Sequence, residues 1–552
     1  MIHRGTPGHG PAEVNVTCSA VPNANDDSQQ TEQRPPRSAR PEGSGRTGQP
    51  TEPASERGEQ DERGEQPQAA AQELSGAQRR AVSELLRVSP VADDLARRFA
   101  RAGHTLALVG GSVRDALLGR LGNDLDFTTD ARPEQVLALV RPWADAVWEV
   151  GIAFGTVGCK KYGPGAGDAR QRFDIEITTY RSEAYDRMSR KPEVSYGDTI
   201  EDDLVRRDFT VNAMAVTLPE KTFVDPYGGL DDLARRVLRT PGAPEDSFSD
   251  DPLRMMRAAR FAAQLDFEVA DDVVAAMTAM AERVDIVSAE RVRDEFNKLL
   301  LAPRPRKGLR LLVDTGLAAR TVPEIPALRL ERDEHHRHKD VYEHSLIVLE
   351  QAIDLEEDGP DLTLRLAALL HDIGKPRTRR FESDGRVSFH HHEVVGAKMT
   401  RKRMTALKYS NELVKDVSRL VELHLRFHGY GTGEWTDSAV RRYVRDAGPL
   451  LARLHKLTRS DCTTRNKRKA AALSRAYDGL EERIARLQEQ EELDSIRPDL
   501  NGNEIMQALD LAPGPDVGKA YQHLLELRLE HGPLGREAAV AALKEWQAAR
   551  ES

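Results

Sequence analysis

A change in hydrophobic periodicity near residue 250 most constrains what this chain can fold into. Before it, short alternating segments typical of half-buried strands, such as Asp124–Phe127 and Phe173–Tyr180, accompany amphipathic helical stretches. Residues 160–172 have the Gly and Pro of a loop, and a Gly-rich insert at about residues 162–172 is expected to lengthen a hairpin. After about Asp250, one helical pattern follows another, with Pro and Gly at the breaks. The sequence therefore predicts an α+β chain, in which a small mixed α/β head precedes a long all-α body.

The first 74 residues contain no aromatic side chain and are rich in Pro, Gly, Gln, Ser, Glu and Arg. Such a composition cannot bury enough apolar surface to offset the entropy lost on ordering. The segment has seven arginines and 12 acidic residues, so it holds half of the chain's net charge of −10. We expect residues 1–74 to be a disordered extension that is dispensable rather than a binding element.

Length and composition limit the class of protein. A chain of 552 residues suggests three or four domains. Its 80 basic and 90 acidic residues argue against indiscriminate coating of nucleic acid, and three scattered cysteines are too few for a disulfide framework. No apolar run reaches the length of a membrane span, and the N-terminus lacks a hydrophobic signal core. These features predict a cytoplasmic protein with no membrane partner.

Two aspartates in the head suggest phosphoryl-transfer chemistry. Asp124 and Asp126 stand two residues apart on a predicted strand, so their carboxylates leave the same face. Adjacent carboxylates stay ionised when cations lie between them, as in a two-metal site. A strand, Gly110-Gly111 and a helix precede the pair and suit the approach of a phosphate, while Glu176 supplies a third carboxylate on the same sheet. Considered alone, the spacing of the two aspartates would favour a pair of solvated acids in a turn.

Five segments connect this site with a known family. They are Leu108–Asp115 (LVGGSVRD), Asp124–Phe127 (DLDF), Arg206–Ala213 (RRDFTVNA), Asp225–Gly229 (DPYGG) and Asp251–Phe261 (DPLRMMRAARF). In this order, and over about residues 85–480, the chain resembles the class II bacterial tRNA nucleotidyltransferases, which are the CCA-adding enzymes and their poly(A) polymerase relatives. The resemblance implies a polymerase-beta-like nucleotidyltransferase head that uses Mg²⁺, CTP and ATP, with tRNA as the acceptor.

The resemblance also assigns roles to individual residues. Asp124 and Asp126 would hold the metals, and with Glu176 they form the predicted catalytic set. The predicted nucleotide-binding residues are Gly110, Gly111, Arg114, Arg207, Asp208, Asn212, Asp251, Arg254, Arg257 and Arg260.

Two of these residues would select the base. An Asp accepts from an exocyclic amino group and an Arg donates to ring acceptors, so Asp251 and Arg254 could accept C and A while rejecting G and U. The alternative for these two residues, considered alone, is an ordinary salt bridge between positions i and i+3 on a solvated helix.

A second constellation lies in the helical body, where ten of the 16 histidines fall within residues 335–428. His371-Asp372, within LLHDIGKP, is the signature pair of the HD phosphohydrolase superfamily, which this segment resembles. His344 and Asp461 lie on helices before and after the pair, and the four side chains could converge on one divalent metal.

Further histidines extend this prediction. His392 and His424 stand where two-metal members of the superfamily carry extra ligands, whereas His338, His390 and His391 are predicted to be solvated. A mixed His/Asp set would accept Mg²⁺, Mn²⁺, Ni²⁺ or Fe. The alternative is an HD fold that serves only as a scaffold for RNA.

The sequence thus predicts five parts. They are an extension over 1–74, a nucleotidyltransferase head over 75–240, a helical neck with templating and RNA-binding helices over 241–330, an HD-type domain over 331–480 and a helical tail over 481–552. Basic clusters at Lys398–Arg403 and Arg459–Lys469 are predicted contacts for an RNA backbone.

Three functions remain open at this stage. The first is a template-independent enzyme that adds CCA to tRNA, with a possible phosphohydrolase activity in the HD domain. The second is a poly(A) polymerase, or an enzyme that adds only A or only CC. The third is an HD phosphohydrolase whose head merely binds nucleotide. The sequence does not indicate an oligomeric state.

Overall fold

The head is built on one seven-stranded sheet. Its strands are β1 Leu106–Val109, β2 Asp124–Thr129, β3 Ala146–Trp148, β4 Thr156–Pro164, β5 Arg170–Thr179, β6 Ala215–Leu218 and β7 Thr222–Val224. Their order across the sheet is β3-β4-β5-β2-β1-β6-β7. The computed structural model describes residue 76 and residues 90–551, apart from 121, 165–169, 182–195, 331–339, 384–386, 428–434, 465 and 492–496. The predicted disordered extension, residues 1–74, lies outside the described residues.

Helices cover both faces of the sheet. The head contains α1 Pro90–Arg101, α2 Gly111–Leu117, α3 Pro133–Val140, α4 Ile200–Val205 and α5 Gly229–Arg235. On one face, α1 and α3 pack on β4 over the main core, which includes Leu125 and Phe127 of β2. On the other face α4 packs against β2, and Leu204 joins Val109 in a small separate cluster. Alternation along β2 therefore turns Asp124 and Asp126 away from the main core.

The parallel pairing of β2 with β5 sets the position of the third carboxylate. Asp126 lies opposite Glu176 in the register of the two strands, and Asp124 lies opposite Asp174. Neighbouring strands are about 4.8 Å apart, so side chains at paired positions lie side by side on one face. The sheet thus brings Glu176 next to Asp126, although they are far apart in the sequence.

Strands β4 and β5 are longer than the local sequence indicated. The Gly and Pro content of residues 160–172 predicts a loop, yet the two strands remain paired as far as Pro164 and Arg170. An antiparallel ladder tolerates Gly163, and Pro164 lacks only an N–H at the very end of its strand. The Gly-rich insert therefore lengthens a hairpin, as expected, and the tip of that hairpin lies outside the described residues.

The rest of the described chain is almost entirely helical. The helices up to residue 330 are α6 Pro244–Asp250, α7 Leu253–Leu265, α8 Asp271–Ala279, α9 Ala289–Leu300, α10 Pro305–Asp314 and α11 Leu317–Thr321. A short parallel pair of strands, β8 Val237–Leu238 and β9 Glu268–Val269, joins this part to the head. Ser288 caps α9 by accepting a hydrogen bond from the Arg291 N–H. Helix α7 is buried along most of its length and packs on α9 and α10.

Helices α12 to α18 form the next part of the chain. They are α12 Val341–Asp354, α13 Leu362–Leu370, α14 Lys375–Thr378, α15 His392–Ala406, α16 Asn411–Leu423, α17 Asp437–Ala447 and α18 Leu451–Ser460. A small antiparallel hairpin of β10 Arg380–Phe381 and β11 Val387–Ser388 lies between α14 and α15. The main hydrophobic core continues from the head through these helices to Leu487.

The helices that follow α19 Lys467–Glu491 have a second core. They are α20 Gly502–Leu509, α21 Pro515–His531 and α22 Arg536–Glu551. Leu500, Ile505, Leu524 and Leu543 belong to the cluster that holds the last three together. Among the described helices, none combines the length and the apolar character needed to cross a membrane.

Candidate functional site

Three carboxylates lie together on the sheet of the head. The pKa of Asp126 is raised, chiefly by burial and further by Asp124, although Arg207 opposes the shift. The pKa of Glu176 is raised by burial and by both aspartates. Buried carboxylates whose pKa is raised by neighbouring acids favour a cation beside them. The donor set therefore suits a divalent metal.

The turn that precedes α2 makes room for a side chain of this site. Gly110 has a φ of 69°, and a Cβ at this position would lie only 2.8 Å from Nη1 of Arg207. Only glycine combines this backbone conformation with such a close approach. The absent side chain lets the guanidinium group of Arg207 reach the edge of the carboxylate site.

Ser112, which the sequence analysis did not select, fixes the strand that carries the aspartates. Its hydroxyl donates to the Asp124 carbonyl oxygen over 3.0 Å and accepts from the Asp126 N–H over 3.1 Å. The first turn of α2 is therefore tied to β2 between the two carboxylates. Gly111 precedes this serine and begins α2.

Asp203 is a second residue that the sequence analysis missed. Its Oδ2 atom accepts from Nη2 of Arg207 over 3.0 Å, within α4 and the residues that follow it. The spacing of i and i+4 offered a signal for this pair. Asp203 holds the Arg207 side chain beside Gly110 and Asp126.

A buried polar chain links the head to α7. Arg114 donates to Oδ1 of Asn212 over 2.6 Å, and Asn212 donates to Oδ1 of Asp208 over 2.9 Å. Nη2 of Arg257 lies 2.6 Å from Oδ2 of Asp208. Although burial opposes it, Arg257 and the Asn212 hydrogen bond lower the pKa of Asp208 to about 2. Four predicted nucleotide-binding residues thus form one connected network.

Asp251 and Arg254, the predicted base readers, flank the start of α7 but bond to different groups. Oδ2 of Asp251 accepts from Nη2 of Arg291 over 2.8 Å, and its Oδ1 accepts from the Leu253 N–H over 3.1 Å. Arg254 donates to Oγ of Ser247 over 2.9 Å and to the Arg206 carbonyl oxygen. Arg291, on α9, is a further residue that sequence reasoning did not select.

Arg260 is placed differently from the other predicted nucleotide-binding residues. Its Nε atom lies 2.6 Å from Oε2 of Glu295 on α9, and its guanidinium group lies 3.9 Å from the ring centroid of Phe261. The residue is only 8% exposed. This placement favours a role in joining α7 to α9 over direct contact with a nucleotide.

The second constellation brings six predicted ligands together. Nε2 of His344 lies 2.9 Å from Oδ1 of Asp461 and 3.5 Å from Oδ2 of Asp372. Nε2 of His371 lies 3.2 Å from the same Asp372 oxygen. On the other side of Asp372, its Oδ1 lies 3.2 Å from Nε2 of His392 and 4.0 Å from Nε2 of His424.

These atoms form two groups that share one carboxylate. His344, His371 and Asp372 offer one set of ligand atoms within 4.8 Å of one another, and Asp372, His392 and His424 offer another. Asp372 thus stands between two candidate metal positions, one oxygen toward each. The sequence predicted the members of this arrangement, and the structure adds the bridging position of Asp372.

Backbone contacts turn the ring nitrogens toward this centre. Nδ1 of His371, His392 and His424 bond the carbonyl oxygens of Ala368, Phe389 and Val421 over 2.7–2.8 Å. A proton on each Nδ1 leaves the Nε2 lone pair available as a ligand.

Buried polar atoms of the HD centre indicate whether a metal fits there. Oδ1 of Asp372 and Nε2 of His392 and His424 are buried without a hydrogen-bond partner. Burial, reinforced by His371, lowers the pKa of His424 to about 3, so its ring is neutral near pH 7. Buried polar atoms of this kind are costly unless they are satisfied. A divalent cation bound by neutral imidazoles and a carboxylate satisfies them.

Gly374 permits the close packing of this centre. A Cβ on Gly374 would lie 2.1 Å from the His392 carbonyl oxygen, so only glycine lets α15 approach the turn after Asp372. Lys375, one residue on, places Nζ 2.6 Å from Oδ2 of Asp372. Both residues belong to the HDIGK segment, and neither was selected as part of the site.

The remaining histidines and basic clusters are on the surface where the structure describes them. His390 and His391 are exposed, as predicted, whereas His338 lies outside the described residues. Lys398, Arg401 and Lys402 lie on one side of α15, and all three are exposed. Arg459 bonds Asp478 over 2.8 Å and lies 3.0 Å from Glu481, so its charge is already balanced within the protein.

Family models match three successive parts of the chain. Residues 106–239 match the "Poly A polymerase head domain", residues 266–328 match the "Probable RNA and SrmB- binding site of polymerase A", and residues 341–466 match the "HD domain".

Two solved structures are similar in fold. The Bacillus stearothermophilus CCA-adding enzyme in complex with CTP has a TM-score of 0.61 at 24% identity and covers 85% of this chain and 98% of its own. The Thermotoga maritima CCA-adding enzyme complexed with tRNA has a TM-score of 0.53 at 17% identity and covers 84% and 98%.

Relatives with curated names are similar in sequence over most of the chain. The A-adding tRNA nucleotidyltransferase of Deinococcus radiodurans is 36% identical over 430 residues, which are 76% of this chain and 91% of the relative. The CCA-adding enzyme of Streptococcus thermophilus is 31% identical over 472 residues, which are 84% and 98%. The chain therefore belongs to the family of tRNA nucleotidyltransferases and poly(A) polymerases, and it carries an HD domain.

Proposed function

We propose that the head transfers nucleotides from CTP and ATP to the 3′ end of tRNA and so builds the CCA terminus. The observation that carries the proposal is the set of Asp124, Asp126 and Glu176 on one face of the sheet, with Arg207 held beside it. The names of the relatives from Deinococcus radiodurans and Streptococcus thermophilus support tRNA as the acceptor.

The catalytic roles follow from this arrangement. Asp124 and Asp126 would hold Mg²⁺, which activates the attacking hydroxyl and neutralises charge on the triphosphate. Arg207 would orient the phosphates, because Asp203 holds its guanidinium group near Asp126 and Gly110 leaves room for it. The buried network that begins at Arg114 would keep the adjoining loop rigid, which positions the nucleotide for attack.

Base selection would lie at the start of α7. Asp251 would accept from the exocyclic amino group of C or A, and Arg254 would donate to ring acceptors. Both side chains are partly exposed. We also propose that the domain limits predicted from the sequence separate this machinery from the HD domain and the tail.

The test uses tRNA that lacks CCA and tRNA that ends in CC, each with CTP and ATP supplied separately and together. A CCA-adding enzyme completes both acceptors, whereas an enzyme that adds only A extends only the CC-ending tRNA. The latter is the second candidate, because the Deinococcus radiodurans relative is named A-adding. Extension by many A residues would instead indicate a poly(A) polymerase.

We predict that Asp124→Asn and Asp126→Asn each reduce incorporation by several orders of magnitude, since removing a metal ligand removes stabilisation of the transition state. Asp145→Asn is the matched control, because Asp145 is an aspartate at the surface that accepts from the Tyr162 N–H outside the carboxylate site. Incorporation by either site variant at the rate of the control would contradict the proposal.

We propose in addition that the HD domain hydrolyses phosphoesters, with 2′,3′-cyclic phosphates on damaged tRNA ends as a fitting substrate. The supporting observation is the pair of ligand groups around Asp372. A divalent metal held there, chosen from Mg²⁺, Mn²⁺, Ni²⁺ and Fe, would supply a nucleophile from bound water. Lys375 would then attract the phosphate, since its ammonium group lies beside Asp372.

The shared carboxylate gives a specific prediction about metal content. In a protein that carries both Asp124→Asn and Asp126→Asn, Asp372→Ala should lose both metal ions of the HD domain, whereas His424→Ala should lose one. His390→Ala is the control, because His390 is exposed and outside both groups. Elemental analysis after dialysis against Mn²⁺ measures the ratio. Equal metal content in all three variants would show that these groups form only a scaffold.

A further inference from the structure

The β10–β11 hairpin joins two parts of the HD centre. Lys375, which contacts Asp372, precedes the hairpin, and His392 begins the helix that follows it. The hairpin pairs Phe381 with Val387 and Arg380 with Ser388. Extending this antiparallel register by one place brings residue 379 level with residue 389. The hairpin therefore begins and ends beside the metal-binding groups.

Two contacts between a cationic and an aromatic side chain lie along this connection. Nζ of Lys375 lies 5.7 Å from the ring centroid of Phe389, and the guanidinium carbon of Arg379 lies 4.8 Å from the ring centroid of Phe381. Cation–aromatic contacts at these distances are attractive. Side chains at directly opposed positions, and at positions two apart on a strand, share one face. We call Lys375, Arg379, Phe381 and Phe389 the hairpin track.

Phe381, at the outer end of the hairpin track, is unusually exposed for an aromatic residue. Phe381 is 67% exposed, whereas Glu382, the next residue, bonds back to Ser388. Residues 375–380 include Lys375, Arg377, Arg379 and Arg380 in a chain whose net charge is −10. An exposed ring among cations is suited to a ligand that offers both a flat apolar surface and negative charge.

We propose that the hairpin track binds the single-stranded 3′ end of an RNA, with a base stacked on Phe381 and the phosphates beside Arg379 and Lys375. The track has two cation–aromatic pairs in succession, Lys375 with Phe389 and Arg379 with Phe381, and each pair offers one contact for a phosphate and one for a base. This geometry favours an RNA segment over a free nucleotide. The inference rests on the proposed role of the HD domain and names the part of the substrate that the chain itself contacts.

The first experiment uses Phe381→Trp to report on this surface directly. The full-length variant is titrated with a short single-stranded RNA that ends in a 3′-phosphate, and the emission of wild-type protein, which has four tryptophans, is subtracted. Saturable quenching of the added Trp by this RNA is expected. Unchanged emission at RNA concentrations that saturate binding would overturn the proposal. Quenching by adenosine 3′-monophosphate at the same concentration as by the RNA would assign the surface to a free nucleotide instead and would equally overturn it.

The second experiment measures affinity by fluorescence anisotropy of the same RNA, labelled at its 5′ end. Phe381→Ala should weaken binding at least about fivefold, the lower limit for loss of one base–aromatic stack. Phe154→Ala is the matched control, because Phe154 is another exposed phenylalanine but lies in the head. Equal affinity of Phe381→Ala and wild type would overturn the proposal.

A third variant separates this inference from the proposed hydrolysis. His371→Ala combined with Phe381→Trp removes a predicted metal ligand and leaves the track intact. Quenching that persists in this protein supports the RNA surface even if hydrolysis is never observed. Quenching that is absent from it but present with Phe381→Trp alone would show that the metal centre, rather than the track, binds the RNA and would overturn the proposal.

Discussion

At the scale of residues, the head depends on side chains that hold other side chains in place. Asp203 holds Arg207, Ser112 ties α2 to β2, and Arg291 bonds the carboxylate of Asp251. None of the three holding residues contributes to the chemistry proposed for the site, yet each fixes a group that does. Orientation of this kind is valuable because a displaced acceptor or donor loses both affinity and selectivity.

We predict that Arg291→Ala lowers the selectivity for CTP over UTP more than it lowers total incorporation. Without Arg291, the Asp251 carboxylate keeps only its bond from the Leu253 N–H and becomes less well oriented as a base acceptor. Asp251→Ala should reduce selectivity further. The measurement is the ratio of incorporation of the two nucleotides into tRNA that lacks CCA.

Arg293→Ala provides the control for this prediction. Arg293 lies on the same helix, but it bonds Asp294 and the Lys408 carbonyl oxygen. Its replacement should leave the ratio unchanged. If Asp251→Ala changes the ratio and Arg291→Ala does not, then Arg291 has no part in base selection.

At the scale of elements, α13 joins the neck to the HD centre. Nη1 of Arg365, on α13, donates to the carbonyl oxygens of Leu300 and Ala302 over 2.7 and 3.0 Å and so caps the end of α9. Its other nitrogens bond Glu356, and both charged side chains are buried. The same helix leads directly into His371 and Asp372. One buried ion pair therefore sets the position of α9 relative to the HD centre.

We predict that Arg365→Met destabilises the protein by about 3–5 kcal/mol, because it leaves the Glu356 charge buried and unpaired. Arg320→Ala is the contrast. Arg320 also pairs with an acid, Asp285, but both side chains are about half exposed, and such pairs contribute at most about 1 kcal/mol. Thermal unfolding of both variants measures the difference.

A double variant checks the cause. Arg365→Met combined with Glu356→Met removes both charges and should recover a large part of the loss. If the double variant is as unstable as Arg365→Met, the cost arises from the lost caps on α9 rather than from the unpaired carboxylate.

At the scale of the whole molecule, the sequence predicted motifs better than the contacts between them. The six HD ligands converge as expected, because each lies in a segment whose residue types have a clear chemical use. Arg291 could not be found in this way, since its partner Asp251 is 40 residues distant and the tertiary packing of α9 on α7 alone brings them together. The lengths of β4 and β5 were underestimated because Gly and Pro weigh against a strand locally, whereas pairing with a long neighbour outweighs that preference.

The separation of the two centres along the chain leads to a prediction about the whole molecule. The carboxylate set lies on the head sheet, the HD ligands lie in helices or directly after helix ends beyond residue 340, and the two sets share no residue. His371→Ala should therefore lose metal from the HD domain but extend tRNA at close to the wild-type rate. Asp124→Asn should show the reverse, with normal metal content in the HD domain and no extension. Thermal unfolding of both variants provides the control for folding. Loss of tRNA extension in a folded His371→Ala protein would show that the HD centre contributes to nucleotide addition, through the helix that links α9 to Asp372.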